Sequence, residues 1–333
     1  MWPRAHGGPV VSGRLRVETD DFQVDEQLGF APDGEGEHWL LQVEKRDSNT
    51  HWVAGQLARF AGVAPRFVSY SGLKDRHAVT RQWFSVHDPK QRSLRWSDVS
   101  CDQFRVITAE RHRRKLRRGS HRGNRFRIRV RDLDERGDLE ERLDLVARLG
   151  VPNYFGEQRF GRGGANLGKA LAMFTTKGRV TRHLRSIYLS AARSWLFNRV
   201  LAVRVVRGNW NEAMEGEIFA LDGTRSVFFE VPDEALRERV AGLDVHPTGP
   251  MWGRGGMAAS GPCLALETGV LALWPALLNG LEKAGLEQER RALRLKLREL
   301  EWQRLDADTF ELRFTLGRGA FATTVLREIV AIA

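Results

Sequence analysis

Between Asn124 and Arg131 the chain alternates with a period of two. Asn124, Phe126, Ile128 and Val130 share one side, and Arg125, Arg127, Arg129 and Arg131 the other. Extended backbone sends successive side chains to opposite faces, so this pattern predicts a strand with one apolar and one arginine face. The charges constrain the fold further. Four guanidinium groups on one face repel one another unless carboxylates or phosphates oppose them. A sheet face that is merely solvated is the plain alternative. The strand closes the most basic part of the chain: residues 111 to 131 hold eleven Arg or Lys residues and no acid.

That segment dominates a chain of 333 residues with a formal net charge of +11. A positive field of this size points to nucleic acid as the large partner, and arginine's planar fork suits phosphate. The length allows about two domains, and the 42% hydrophobic content is that of a globular protein. The longest apolar run, Val270 to Leu278, is interrupted by Pro275 and far shorter than the roughly 20 residues a membrane span needs. No secretory leader is legible in Met1 to Val11. The two cysteines, Cys101 and Cys263, lie far apart, which fits a reducing, cytoplasmic setting. A monomer without an obligate protein partner is expected.

Along the chain, Phe22 and Val24 and then Trp39 to Val43 read as strands. Asn49-Thr50 opens a helix with Trp52, Val53, Leu57 and Phe60 on one face. Helical spacing marks Leu139 to Leu149, Ile187 to Arg204, Leu264 to Lys283 and Glu287 to Leu300. Strand alternation returns at Phe310, Leu312, Phe314 and Leu316, before a short terminal helix over Phe321 to Val330.

A second segment carries candidate chemistry. An apolar run at Phe67, Val68 and Tyr70 stops at Gly72, and another resumes at Gln82-Trp83-Phe84. The loop between them sets one carboxylate, Asp75, among Lys74, Arg76, His77 and Arg81. A lone anionic oxygen in a basic loop suits a nucleophile acting on a polyanionic substrate. The bland reading is a turn-satisfying aspartate.

Other chemistries are poorly supported. Gly163 to Lys169 has the GxxxxGK spacing of a phosphate-binding loop, but Ala170 stands where a Ser or Thr should hold magnesium. The residues before it, Glu157 to Phe160, do not form an apolar strand pattern. The nine histidines lack metal-ligand spacing and the cysteines lack partners, so no metal site and no cofactor are expected.

Five segments resemble one family. Gly72 to Thr80 is similar to the nucleophile loop of the TruD family of tRNA pseudouridine synthases. Lys115 to Gly119 with Gly123-Asn124-Arg125-Phe126 resembles its second motif, and Val151 to Gly161 its third. Ser190 to Ser194 and Phe321 to Glu328 look like later ones. The resemblance implies an α+β fold: a mixed-sheet pseudouridine synthase catalytic domain, residues 1–149 plus 298–333, with an inserted second α/β domain, 150–297. It implies conversion of uridine to pseudouridine in tRNA, at uridine 13 if the family specificity carries over. Asp75 would be the nucleophile, attacking the sugar or uracil C6. Asn124 and Phe126 would hold and stack the uracil, with Phe22 and Phe321 lining the same pocket. Without the resemblance, the aromatics would read as core. Arg16 stands where the family usually has a lysine, and Thr19-Asp20 where Pro-Glu is common. Arg16 would be the cationic partner of Asp75. Arg113, Arg114, Lys115, Arg117 and Arg118, with a cleft between the domains, would hold the RNA backbone. A non-catalytic RNA-binding protein and a phosphate-loop NTPase are the alternatives, separated by a pseudouridine assay and an ATP–magnesium titration.

Overall fold

The computed structural model describes residues 2–176 and 179–332. In chain order the elements are β1 (Val11–Leu15), β2 (Phe22–Gln27), β3 (His38–Arg46), α1 (Thr50–Phe60), β4 (Val68–Tyr70), β5 (Val79–His87), β6 (Phe104–His112) and β7 (Gly123–Glu135). Next come α2 (Leu139–Leu149), β8 (Val151–Pro152), α3 (Ala165–Thr175), α4 (Arg182–Val206), β9 (Ile218–Leu221), β10 (Val227–Phe229), α5 (Glu234–Ala241) and β11 (Val245–Met251). The last are α6 (Gly261–Leu271), α7 (Pro275–Lys283), β12 (Glu289–Ala292), β13 (Arg294–Leu295), β14 (Arg298–Asp306), β15 (Thr309–Gly317), α8 (Ala322–Leu326) and β16 (Val330–Ile332).

Two units divide this chain. The first holds Val11–Arg136 and Leu297–Gly319, with the residues from Ala331; the second holds Met1–Val10, Gly137–Lys296 and Ala320–Val330. They overlap most of the domains expected from sequence. They differ in placing the first ten residues, α2 and α8 together with the central segment.

The first unit is built on a sheet in the order β14-β15-β7-β2-β5-β3-β6, with β1 on β7 and β4 on β5. β2 and β5 run parallel, whereas β2 and β7, like β3 and β5, are antiparallel. The sheet is therefore mixed, as expected. Helix α1 covers one face, where Val53 and Leu57 pack with Leu41, Val43, Phe84 and Val86.

β7 forms as its alternation predicts. Phe126, Ile128 and Val130 are buried, and carboxylates answer the arginine face. Arg125 meets Glu299 at 2.8 Å. Arg127 and Arg129 share Glu311 at 2.7 and 2.9 Å, and Arg131 takes Asp21 at 2.8 Å. Burial works to raise the Glu311 pKa, but hydrogen bonds from Arg129, Arg127 and Arg313 overcome it and hold the carboxyl below its usual value.

The second unit pairs a sheet in the order β10-β9-β11-β12 with α4, the long helix foreseen from Ile187 onward. Its core gathers Tyr154, Phe155, Phe160, Phe197, Leu201 and Trp210. Buried Arg204 is neutralised by Glu217 at 2.9 Å.

Three expectations need correction. Residues 287 to 300 form no helix but two short strands, β12 and β13, and the start of β14. Leu293, Leu295 and Leu297 are all buried, so the period of two outweighed the helical count. The predicted helix over 264–283 is two helices bent by 98°. Pro275 starts the second because it lacks the N–H needed to continue the first. The terminal helix is shorter than expected, α8 alone, followed by β16. The GxxxxGK spacing follows the short 3-10 turn Glu157–Phe160 and overlaps a second, Arg162–Gly164, so the strand that motif requires is absent there.

Candidate active site

Asp75 lies in the loop between β4 and β5, with about half of its side chain exposed. Its backbone is firmly tied. Lys45, at the end of β3, is fully buried and donates from Nζ to the Asp75 carbonyl at 2.8 Å and to the Ser48 carbonyl at 2.7 Å. Thr50 Oγ1, at the start of α1, accepts the Lys74 amide at 3.1 Å and donates to Gln82 Oε1 at 2.9 Å. Gln82 Nε2 in turn donates to the Gly72 carbonyl at 3.0 Å. Burial depresses the Lys45 pKa to about 8, aided by Lys74 and opposed by Asp75 and Asp47.

The cations crowding Asp75 in sequence are mostly engaged elsewhere. Lys74 turns inward to form a buried pair with Glu26, whose other oxygen accepts the Trp83 amide at 3.2 Å. His77 and Arg76 approach Asp47 at 2.8 and 3.8 Å, and Arg81 takes Glu44 at 2.9 Å. The partner of Asp75 is Arg16, Nη2 to Oδ2 at 2.8 Å. Arg16 holds a left-handed backbone, φ 57°, a conformation that non-glycine residues adopt at a cost and that clusters at functional sites. Its guanidinium also lies 4.2 Å from the centre of the Phe22 ring.

Phe22, Asn124 and Phe126 come together where β2 pairs with β7: Val24 stands opposite Phe126, and Glu26 opposite Asn124. Both rings are well buried, 3% and 7% exposed. Phe126 meets the edge of Phe22 at 6.3 Å and stacks on Phe314 at 5.4 Å. Asn124 Oδ1 is buried and finds no hydrogen-bond partner among the described residues. A lone acceptor of this kind needs a donor from outside. Phe321 belongs to the second unit, where it caps α8 and packs on the Tyr154–Phe160 cluster.

The basic loop between β6 and β7 is stitched to the Asp75 loop. The Gly119 amide donates to the Ser71 carbonyl at 2.7 Å, and the Ser71 and Ser120 hydroxyls meet at 3.1 Å. Leu116 is buried and anchors this loop, leaving Arg113, Arg114, Lys115, Arg117 and Arg118 exposed. Arg113 pairs with Glu35.

Lys45 and Glu26 escaped the sequence reading, yet each left a trace. Lys45 continues the buried face of Leu41 and Val43 along β3, and Glu26 that of Phe22 and Val24 along β2. A charge in the apolar phase of a strand is rarely buried unless paired.

Against this geometry, the family model for tRNA pseudouridine synthase D (TruD) matches residues 4–173 and 164–329. The chain belongs to the TruD family. It is 50% identical to tRNA pseudouridine synthase D of Xanthomonas euvesicatoria pv. vesicatoria, over 99% of this chain and 94% of the relative. The corresponding protein of Methylococcus capsulatus is 49% identical, over 98% of this chain and 94% of that one. In fold, the chain resembles the crystal structure of a Methanosarcina mazei protein assigned as tRNA pseudouridine synthase D. The TM-score is 0.75 at 23% identity, covering 98% of this chain and 95% of that one. The α+β, mixed-sheet architecture is thus the one this family adopts.

Proposed function

We propose that this chain isomerises uridine to pseudouridine in tRNA, at uridine 13, with Asp75 as the nucleophile. The observation that carries the reading is the Asp75 loop. Hydrogen bonds to the Asp75 and Gly72 carbonyls and from the Lys74 amide fix its backbone, while its carboxylate stays about half exposed against Arg16. The names of the relatives supply the reaction class.

In this scheme the Asp75 carboxylate attacks ribose C1′ or uracil C6, and the bond between N1 and C1′ breaks. The base turns and C5 bonds to C1′, the bond from Asp75 to the nucleotide breaks to regenerate the carboxylate, and C5 loses its proton as N1 gains one, so the product is an isomer of the substrate. A uridine in a folded arm must first leave its stack, which costs a few kcal/mol. Asn124 Oδ1 accepts the uracil N3–H, satisfying its unpaired oxygen. Phe22 and Phe126 supply aromatic surface, with stacking worth about 1–3 kcal/mol per base. Arg16 keeps Asp75 oriented until the nucleotide arrives. Arg113, Arg114, Lys115, Arg117 and Arg118 take phosphates beside the target, because their loop is bonded to the one that carries Asp75.

Site-resolved pseudouridine mapping of tRNA from cells lacking this protein tests the substrate and position. Loss of pseudouridine at position 13 alone is expected. A full signal there would refute the assignment.

A further inference from the structure

The second unit holds a cavity of about 710 Å³ that the proposed chemistry does not use. Helix α4 forms one wall, because Trp195, Arg199, Val203 and Val206 recur at helical spacing on one face. Aromatic rings build its interior: Trp2 lies 4.9 Å from Trp195, and Phe160 meets Trp195 edge-on at 5.8 Å. Arg199 and Arg207 bring positive charge, and Glu157 stands on the lining as an acceptor.

Two buried atoms in this lining indicate what is missing. Trp195 Nε1 and Arg199 Nε find no hydrogen-bond partner among the described residues. Both are donors only, and each buried unpaired donor costs about 1–3 kcal/mol. A small turn of either side chain would offer its donor to an occupant that carries acceptor oxygens. On the same wall, Gly163 and Gly164 adopt φ of 61° and 77°, with open space where a side chain would stand. A ligand can approach that backbone closely.

Acceptor oxygens, a flat ring and negative charge occur together in a nucleotide. The volume lies within the roughly 300–1,000 Å³ range of small-ligand sites. We propose that this cavity binds one unstacked nucleotide of the tRNA other than the reacting uridine. Its base lies against the aromatic wall, and its phosphate lies among Arg199, Arg207 and the Gly163–Gly164 backbone. The site then acts as a second anchor that selects RNA in which this nucleotide can leave its stack. The glycine-rich segment that imitates a phosphate-binding loop thereby gains a role without magnesium or ATP. This proposal rests on the reading of the chain as a tRNA-modifying enzyme.

The test measures the tRNA Kd of the full chain at one fixed salt concentration for Arg199→Met, Trp2→Ala and Arg207→Glu. Arg225→Glu, an exposed charge reversal outside the cavity, is the control, and melting curves confirm folding. Arg199→Met keeps the length of the side chain and serves if Trp2→Ala fails to fold. The cavity variants should each raise Kd roughly tenfold, within the range expected for one stacking or phosphate contact. The KM for tRNA should rise in parallel and kcat should hold. A Kd within twofold of the parent chain, or an Arg207→Glu effect no larger than that of Arg225→Glu, overturns the proposal. So does tryptophan quenching that saturates with free UMP or GMP while the cavity variants keep the parental tRNA Kd, since the occupant is then a free nucleotide. A parent chain that binds tRNA but forms no pseudouridine would sink the proposed function, and the Kd series would still decide the cavity.

Discussion

The pH dependence of Lys45→Met isolates the titration of one buried charge beside the Asp75 loop. The parent lysine is fully buried, and its pKa falls from 10.5 to about 8 chiefly through desolvation. Between those values the unfolded chain keeps the proton that the folded chain has lost, so stability rises with pH across this window. At 1.36 kcal/mol per pH unit, burying this lysine costs about 3 kcal/mol at pH 7, where it stays charged, and about 1.4 kcal/mol at pH 9.5, where it is neutral in the fold. The two hydrogen bonds to the Ser48 and Asp75 carbonyls offset part of that cost. Methionine has no proton to lose. Urea unfolding of both proteins at pH 7 and pH 9.5 should therefore show the parent gaining about 2 kcal/mol on the variant as pH rises. Parallel curves, agreeing within about 0.5 kcal/mol, would refute the reasoning. In turnover, the variant releases the carbonyl of Asp75, so kcat should fall more than KM changes.

Glu26→Gln removes the counter-charge of buried Lys74 and should cost about 3–5 kcal/mol in urea unfolding; a loss below about 1 kcal/mol contradicts the buried pairing. Replacing Arg114, Arg117 and Arg118 together with alanine should flatten the logarithmic salt slope of tRNA binding by about two. Arg127→Ala with Arg129→Ala should change that slope by less than the loop triple, because both guanidinium groups are already engaged by Glu311. Acid unfolding reports on Glu311 itself. Its lowered pKa contributes stability that is present at neutral pH and lost as pH falls through its folded value, and Glu311→Gln should abolish that component.

What was legible depended on whether the determining partners were local. The alternation of β7 and β15 and the long apolar face of α4 are properties of neighbouring residues, and each element formed as expected. The Arg ladder was legible as a strand, but its carboxylate partners were not: Glu311 lies 182 residues from Arg129. The segment from 287 to 300 satisfied two periodicities at once. Its β12 portion pairs with β11, whose sequence gives no warning of that contact. In the candidate site, the pairing of Arg16 with Asp75 was foreseen. The inward turn of Lys74 was not, because it depends on Glu26 reaching the same place through the parallel pairing of β2 and β5. Lys45 drew no reading from the sequence, since only the folded chain shows the two carbonyls that justify burying its charge.

The central claim is that the exposed carboxylate of Asp75 performs the reaction. The most direct measurement incubates purified parent chain and Asp75→Asn with unmodified tRNA and scores pseudouridine and tRNA binding side by side. The account predicts abundant product from the parent, none from the variant, and closely similar tRNA affinity for both. Substantial pseudouridine formation by Asp75→Asn would contradict it.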